Sequence, residues 1–159
     1  MESKIEIYCM LTKTLWLGLA NVRENYGHDD TLPYQADVFI LDADAQPKFK
    51  KIGSIWNDGW GGDSVFEISD KENTEAYRKL ADDLCKKHQM YYRGKPVCEY
   101  SLLDTCDSMA CGFLAVQSDP DASAQANGRT LIYKFDDDPA VLSNPTMMPV
   151  FISKKDFEY

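Results

Sequence analysis

Residues 51–68 read Lys-Ile-Gly-Ser-Ile-Trp-Asn-Asp-Gly-Trp-Gly-Gly-Asp-Ser-Val-Phe-Glu-Ile. Two short strand-like runs, Lys51 to Trp56 and Ser64 to Ile68, flank a segment with three of the chain's nine glycines. Asn, Asp and Gly tolerate positive φ, so Asn57-Asp58-Gly59 between two such runs predicts a β-hairpin. A phosphate-binding reading fails on two counts. The Gly-Lys-Ser/Thr of a Walker loop and the glycine spacing of a dinucleotide fingerprint are both missing. The segment also leads into a strand, so no helix N-terminus follows it to hold an anion. A turn has no need of Trp60, however. A tryptophan there either folds back to cap the sheet or stands outward as an interface anchor. Trp56, Asn57, Asp58, Trp60 and Asp63 are therefore the candidate binding residues.

The same period-two logic extends toward the N-terminus. Ile5, Ile7, Cys9 and Leu11 alternate with Lys4, Glu6, Tyr8 and Met10, the pattern of a half-buried strand. Leu15, Leu17 and Leu19 alternate again with no turn signal between, so they are either a bent continuation or a separate strand. Residues 25–30 and Pro33 read as a loop, and Ala36 to Leu41 as an interior strand. Residues 4–69 thus form a mostly antiparallel meander.

Helical spacing takes over next. Ser69 stands three residues before Glu72, the spacing of a capping box, and predicts a helix start. Ala76, Tyr77, Leu80, Ala81, Leu84, Cys85 and His88 trace its apolar face. Lys86 and Lys87 suit the negative end of the helix dipole, and Gly94 and Pro96 lie beyond it. Pro96 to Tyr100 reads as a short strand. Ser101 then caps a second helix whose face carries Leu102, Leu103, Cys106, Met109, Ala110, Phe113 and Leu114. Residues 117–128, nearly all small or polar, predict a mobile surface loop. Thr130 to Phe135 and Pro149 to Ser153 close the chain as strands. The expectation is a single α+β domain over residues 1–159: a largely antiparallel sheet with about two helices packed on one face.

A chain of 159 residues with 44% hydrophobic content can bury a core without disulfides or metals. The beginning lacks a basic segment followed by an apolar run, and apolar stretches such as Leu15 to Ala20 are far too short to span a bilayer. Neither a signal peptide nor a membrane span is expected. Five scattered cysteines suit a reducing, cytoplasmic setting. The net charge of -9 argues against general nucleic-acid or anionic-membrane binding and favours a partner with a basic surface.

The remaining chemistry is sparse. Asp42 and Asp44 lie two apart at the end of a strand-like run, and Asp136, Asp137 and Asp138 end another. If those ends were neighbours, they would supply oxygen ligands for Mg²⁺ or Ca²⁺. Aspartates also favour turns, which is the simpler role. Of the two histidines, His88 belongs to the end of the first helix and His28 lacks a nucleophile partner. Cys106 and Cys111 match no zinc spacing, and Cys85 and Cys106 fall in apolar helix stripes. The cationic run from Lys86 to Lys95, interleaved with Tyr91 and Tyr92, reads as a solvated helix terminus rather than an RNA contact.

The expected function is therefore that of a non-enzymatic, cytosolic, acidic binding or regulatory protein acting through a macromolecular interaction. One form of it is an inhibitor that mimics nucleic-acid charge, as some small acidic proteins of phages and mobile elements do. Two alternatives stand beside it: a small divalent-metal-dependent enzyme or metal binder using the clustered aspartates, and a small-ligand binder with the glycine-rich segment as its lid.

Overall fold

The computed structural model describes residues 5–24, 34–42, 44, 49–57, 64–69, 71, 74–92, 95–121, 129–134 and 148–153. Strand β1 (Ile5–Met10) buries Ile7 and Cys9 completely, as alternation requires. A tight turn then reverses the chain. The amides of Leu11 and Thr12 both donate to the Leu15 carbonyl at 3.0 Å, and Thr12 Oγ1 accepts from the amides of Thr14 and Leu15. A threonine side chain thus does the work usually left to glycine or proline, and Leu15 opens a separate strand, β2 (Leu15–Glu24). Strands β3 (Tyr34–Asp42), β4 (Phe49–Asn57) and β5 (Val65–Ile68) follow, each antiparallel to its predecessor. The meander and the predicted hairpin are both present.

Helix α1 (Thr74–Cys85) leads to a separate two-stranded ribbon, β6 (Gln89–Tyr92) and β7 (Lys95–Glu99). Helix α2 (Leu102–Ser118) crosses back over the sheet. Strand β8 (Arg129–Lys134) joins parallel to β1, and β9 (Met148–Ser153) pairs antiparallel with β8. The sheet order is β5-β4-β3-β2-β1-β8-β9. This is an α+β fold with a largely antiparallel sheet and two helices packed against it.

Between the sheet and the helices lies the main core, built from Ile7, Leu17, Leu19, Val38, Ile40, Ile52 and Ile55 beneath Ala81, Cys85, Cys106, Met109 and Ala110. A second cluster of Trp16, Ala20, Phe39 and Leu41 is buried on the opposite face, with Ile5, Tyr8 and Met10 packed against it. The middle of the sheet is therefore apolar on both sides. Two irregularities bend it. Asn21 takes a positive φ of 54° at a bulge in β2, a conformation asparagine tolerates, and its Nδ2 donates to Asp37 Oδ2 at 2.7 Å. At the β4 bulge, a Cβ on Gly53 would collide with the Glu67 carbonyl, so only glycine lets β5 approach this closely.

The helix starts differ from expectation in one case. Helix α1 begins at Thr74, not after Ser69, because the Ser69 amide donates to the Ile52 carbonyl at 3.3 Å and so extends the sheet ladder. Its apolar face is also narrower, since Leu80 is 44% exposed. The second start is as read. Ser101 Oγ accepts from the Asp104 amide, and the Asp104 carboxylate accepts from the Ser101 amide, a complete capping box. Helix α2 runs on to Ser118 because Val116 still packs on the core. Of the segment 117–128, residues 117, 118, 120 and 121 are thus helical rather than loop, and 122–128 lie outside the described residues. None of the five cysteines is in a disulfide. Burial pushes the Cys9 and Cys106 thiols well up and Cys85 to about 11, as suits core residues.

One carboxylate joins the two helices. Asp82 Oδ1 accepts from the Leu102 amide at 3.0 Å, and its Oδ2 pairs with Lys86 Nζ at 2.8 Å. Partial burial pushes Asp82 up, but the Leu102 amide, Lys86 and the Arg78 charge outweigh it and hold the carboxyl below its ordinary value. A depressed native pKa gives stability that is complete above the unfolded value of about 3.9 and is lost as pH falls through the native one. Asp82→Asn should therefore be less stable than the parent in urea unfolding at pH 6, with the difference shrinking below about pH 4. A gap that is constant down to pH 2 would contradict this.

Candidate functional site at the base of the glycine-rich connection

Strands β4 and β5 make their last pair at Trp56 and Val65. Asn57 and Ser64 therefore frame the glycine-rich connection, whose residues 58–63 lie outside those described. The frame is closed by side chains. Asn57 Nδ2 donates to Ser64 Oγ at 3.2 Å, and Ser64 Oγ donates to Asp107 Oδ1 at 2.6 Å. The same Oδ1 accepts the Tyr34 hydroxyl at 2.7 Å, with Ser64 Oγ 3.2 Å from that hydroxyl.

Each member is delivered by the fold. Tyr34 opens β3 and is the cross-strand neighbour of Asn57, so the phenol and the amide emerge side by side. Both residues are buried. Asp107 belongs to the second turn of α2, beside Cys106 and close to Met109 and Ala110, which anchor that helix in the core. The network thus joins β3, both ends of the connection and α2.

The valences decide what this arrangement can do. A hydroxyl has one donor and two acceptor positions. Ser64 Oγ spends its hydrogen on Asp107 and accepts from Asn57, while the single Tyr34 hydrogen goes to Asp107 at 2.7 Å and leaves Ser64 Oγ as its more distant neighbour at 3.2 Å. Burial pushes the Tyr34 phenol far up, the Ser64 bond opposes that, and Asp107 adds to it; the phenol stays protonated and acts as a donor. Cys111, one helical turn beyond Asp107, is pushed up to about 11 by burial and by the Asp107 charge. The geometry is that of a hydrogen-bonded latch, with its charge-assisted bonds at the strong end of the range.

Trp56 lies beside this latch. It alternates with the buried Ile55 and Asn57 and is itself half-buried, and its cross-strand neighbour Val65 is 46% exposed. The two share one face and leave an apolar patch at the hairpin's end. Asp58, Trp60 and Asp63 lie outside the described residues. Of the aspartates considered as metal ligands, Asp42 and Asp44 are among the described residues. Asp42 is the last residue of β3, and Asp44 sits in the turn beyond it and donates its amide to Asp42 Oδ1 at 3.0 Å. Strand alternation no longer relates them. No group of three or more His, Cys, Asp or Glu side chains suited to a metal ion occurs among the described residues, and Asp136, Asp137 and Asp138 lie outside them.

Sequence reasoning reached Trp56 and Asn57 but missed Tyr34, Ser64 and Asp107. The available signal was Asp107 itself, an acid between Cys106 and Met109 on a helix otherwise read as apolar. Because Tyr34 and Ser64 share Asp107, Tyr34→Phe and Ser64→Ala should each lower the unfolding free energy by about 1–3 kcal/mol. The double variant should lose measurably less than the sum. Additive losses in urea unfolding would show that the two hydroxyls do not act through one carboxylate.

Comparisons with protein-family models, with curated proteins and with solved structures found no match, so the functional reading rests on the residues themselves.

Proposed function

We propose that this protein is a non-enzymatic, cytosolic binding or regulatory protein that docks on a basic partner protein through the end of the β4–β5 hairpin. The observation that carries the reading is the latch. Hydrogen bonds from Asn57, Ser64 and Tyr34 fix both ends of the connection to the core through Asp107. Fixing the ends in advance lowers the entropy lost when Asp58, Trp60 and Asp63 engage a partner. Trp56 and the exposed Val65 give that end an apolar contact of the kind found at the centre of interfaces.

The net charge of -9 supplies the second component. Steering by that field raises the encounter rate with a positively charged surface and disfavours direct contact with nucleic acid or an anionic membrane. Carboxylates arrayed on a protein surface also stand in for phosphates. The form of the proposal that we favour is an inhibitor that occupies a nucleic-acid-binding site on its partner.

Affinity capture from the native host, with the wild type and with Trp60→Ala side by side, tests this reading. The wild type should recover a basic protein that the variant loses. Affinity of the purified pair should fall roughly tenfold or more from low to physiological salt, and a short DNA duplex should compete. Salt-insensitive binding, or equal recovery by the variant, would overturn it.

A further inference from the structure

A cavity of about 230 Å³ opens where β5 meets α1 and the first turn of α2, away from the latch. Its walls are largely apolar, formed by Phe66 and Ile68 of β5 and by Leu102 and Leu103 of α2. Three polar residues also reach it: Arg78, Asp82 and Ser101. Two of these are already committed. The Asp82 oxygens are taken by the Leu102 amide and by Lys86. Ser101 Oγ accepts from the Asp104 amide and donates to Asp104 Oδ2 at 2.8 Å. The helix amides at this end are drawn in as well, since Leu102 and Asp104 each donate inside the protein.

Arg78 is different. Its Nε is buried and carries no hydrogen bond. A guanidinium presents its donors as a planar fork that matches a carboxylate, and an N–H taken from water without an acceptor costs free energy that a bound oxyanion would recover. The cavity therefore combines an apolar wall with one buried cationic N–H, Arg78 Nε, left unfilled, in a guanidinium whose charge also acts on Asp82.

We propose that this cavity is a binding site for a small monocarboxylate with an apolar body, its carboxylate on the Arg78 guanidinium and its body against Phe66, Ile68, Leu102 and Leu103. The volume limits the ligand, because sites for drug-sized molecules occupy roughly 300–1,000 Å³. A short branched or single-ring acid fits that limit. The charge is limited too. Asp82 lines the same cavity within a strongly acidic protein, so a dianion such as phosphate meets more repulsion than a carboxylate does. This site is independent of the macromolecular reading above, since it uses neither the hairpin end nor the latch.

Chemical-shift titration of the isotope-labelled full chain with phenylacetate, benzoate and 3-methylbutanoate tests the proposal, with phenylacetamide and inorganic phosphate as comparators. Saturable shifts are expected at the Arg78 side chain and at Leu102 and Leu103 with the acids. Phenylacetamide should bind roughly ten- to a hundredfold more weakly than phenylacetate, the loss of one charge-assisted hydrogen-bond pair. In Arg78→Met that preference should vanish. Absence of saturable binding by all three acids, equal affinity for acid and amide in the wild type, or phosphate binding as tightly as phenylacetate would each overturn it. The acid-to-amide comparison needs no variant, so it decides the matter even where Arg78→Met fails to fold.

Discussion

Tyr34 places a phenol at the edge of an apolar core, and a hydroxyl buried there without a partner costs about 1–3 kcal/mol. That constraint organises much of what surrounds it. The nearest acceptor is a carboxylate, Asp107, which must be carried in by a helix crossing the sheet. The same carboxylate would be poorly satisfied by the phenol alone, and Ser64 supplies a second donor at the start of β5. Asn57 then fills the remaining position on Ser64. Four residues from four segments settle one another's hydrogen-bonding capacity, so the placement of α2 on the sheet and the closure of the hairpin become a single problem with one solution.

The apolar part of the fold follows from burial on both faces of the central strands. Leu17 and Leu19 face the helices while Trp16 and Ala20 face the other way, and β3 repeats the arrangement with Val38 and Ile40 against Phe39 and Leu41. A strand covered on both sides shows a continuous apolar run rather than alternation. Leu15 to Ala20 and Val38 to Leu41 are such runs. Alternation survives at β1, where Ile7 and Cys9 are fully buried and Tyr8 and Met10 only partly so.

These differences explain which parts could be read from residues alone. The meander and the α2 cap are written locally: period-two patterns, an Asn-Asp-Gly turn signal, and Ser101 three residues from Asp104. The start of α1 is not, because Ser69 faces two competing uses and a hydrogen bond to Ile52, far along the chain, decides for the sheet. Strand β6 was hidden by its setting, since Gln89–Tyr92 directly follows the short turn that carries Lys86 and Lys87 beyond the end of α1. The latch was the least legible element. Its contacts span 30, 43 and 73 positions along the chain, and no spacing rule connects residues so far apart.

Strand β5 brings these threads together. It is four residues long, lies at the edge of the sheet, and among the described residues pairs only with β4. Backbone hydrogen bonds to one neighbour hold such a strand weakly, and edge strands are the usual place for fraying. Here each end has a second attachment. At Ser64 the hydroxyl reaches Asp107, and along the strand Phe66 packs against the main core. The Ser64 attachment leads to α2, where Leu103 and Asp107 stand four residues apart and so share one face of the helix, and the strand also contacts α1. The cavity beside Leu103, which α1 also lines, and the latch at Asp107 thus lie along one side of α2. Hydrogen bonding closes that side at the hairpin end. Beside Leu103 it stays open, with apolar walls and the unpaired Nε of Arg78.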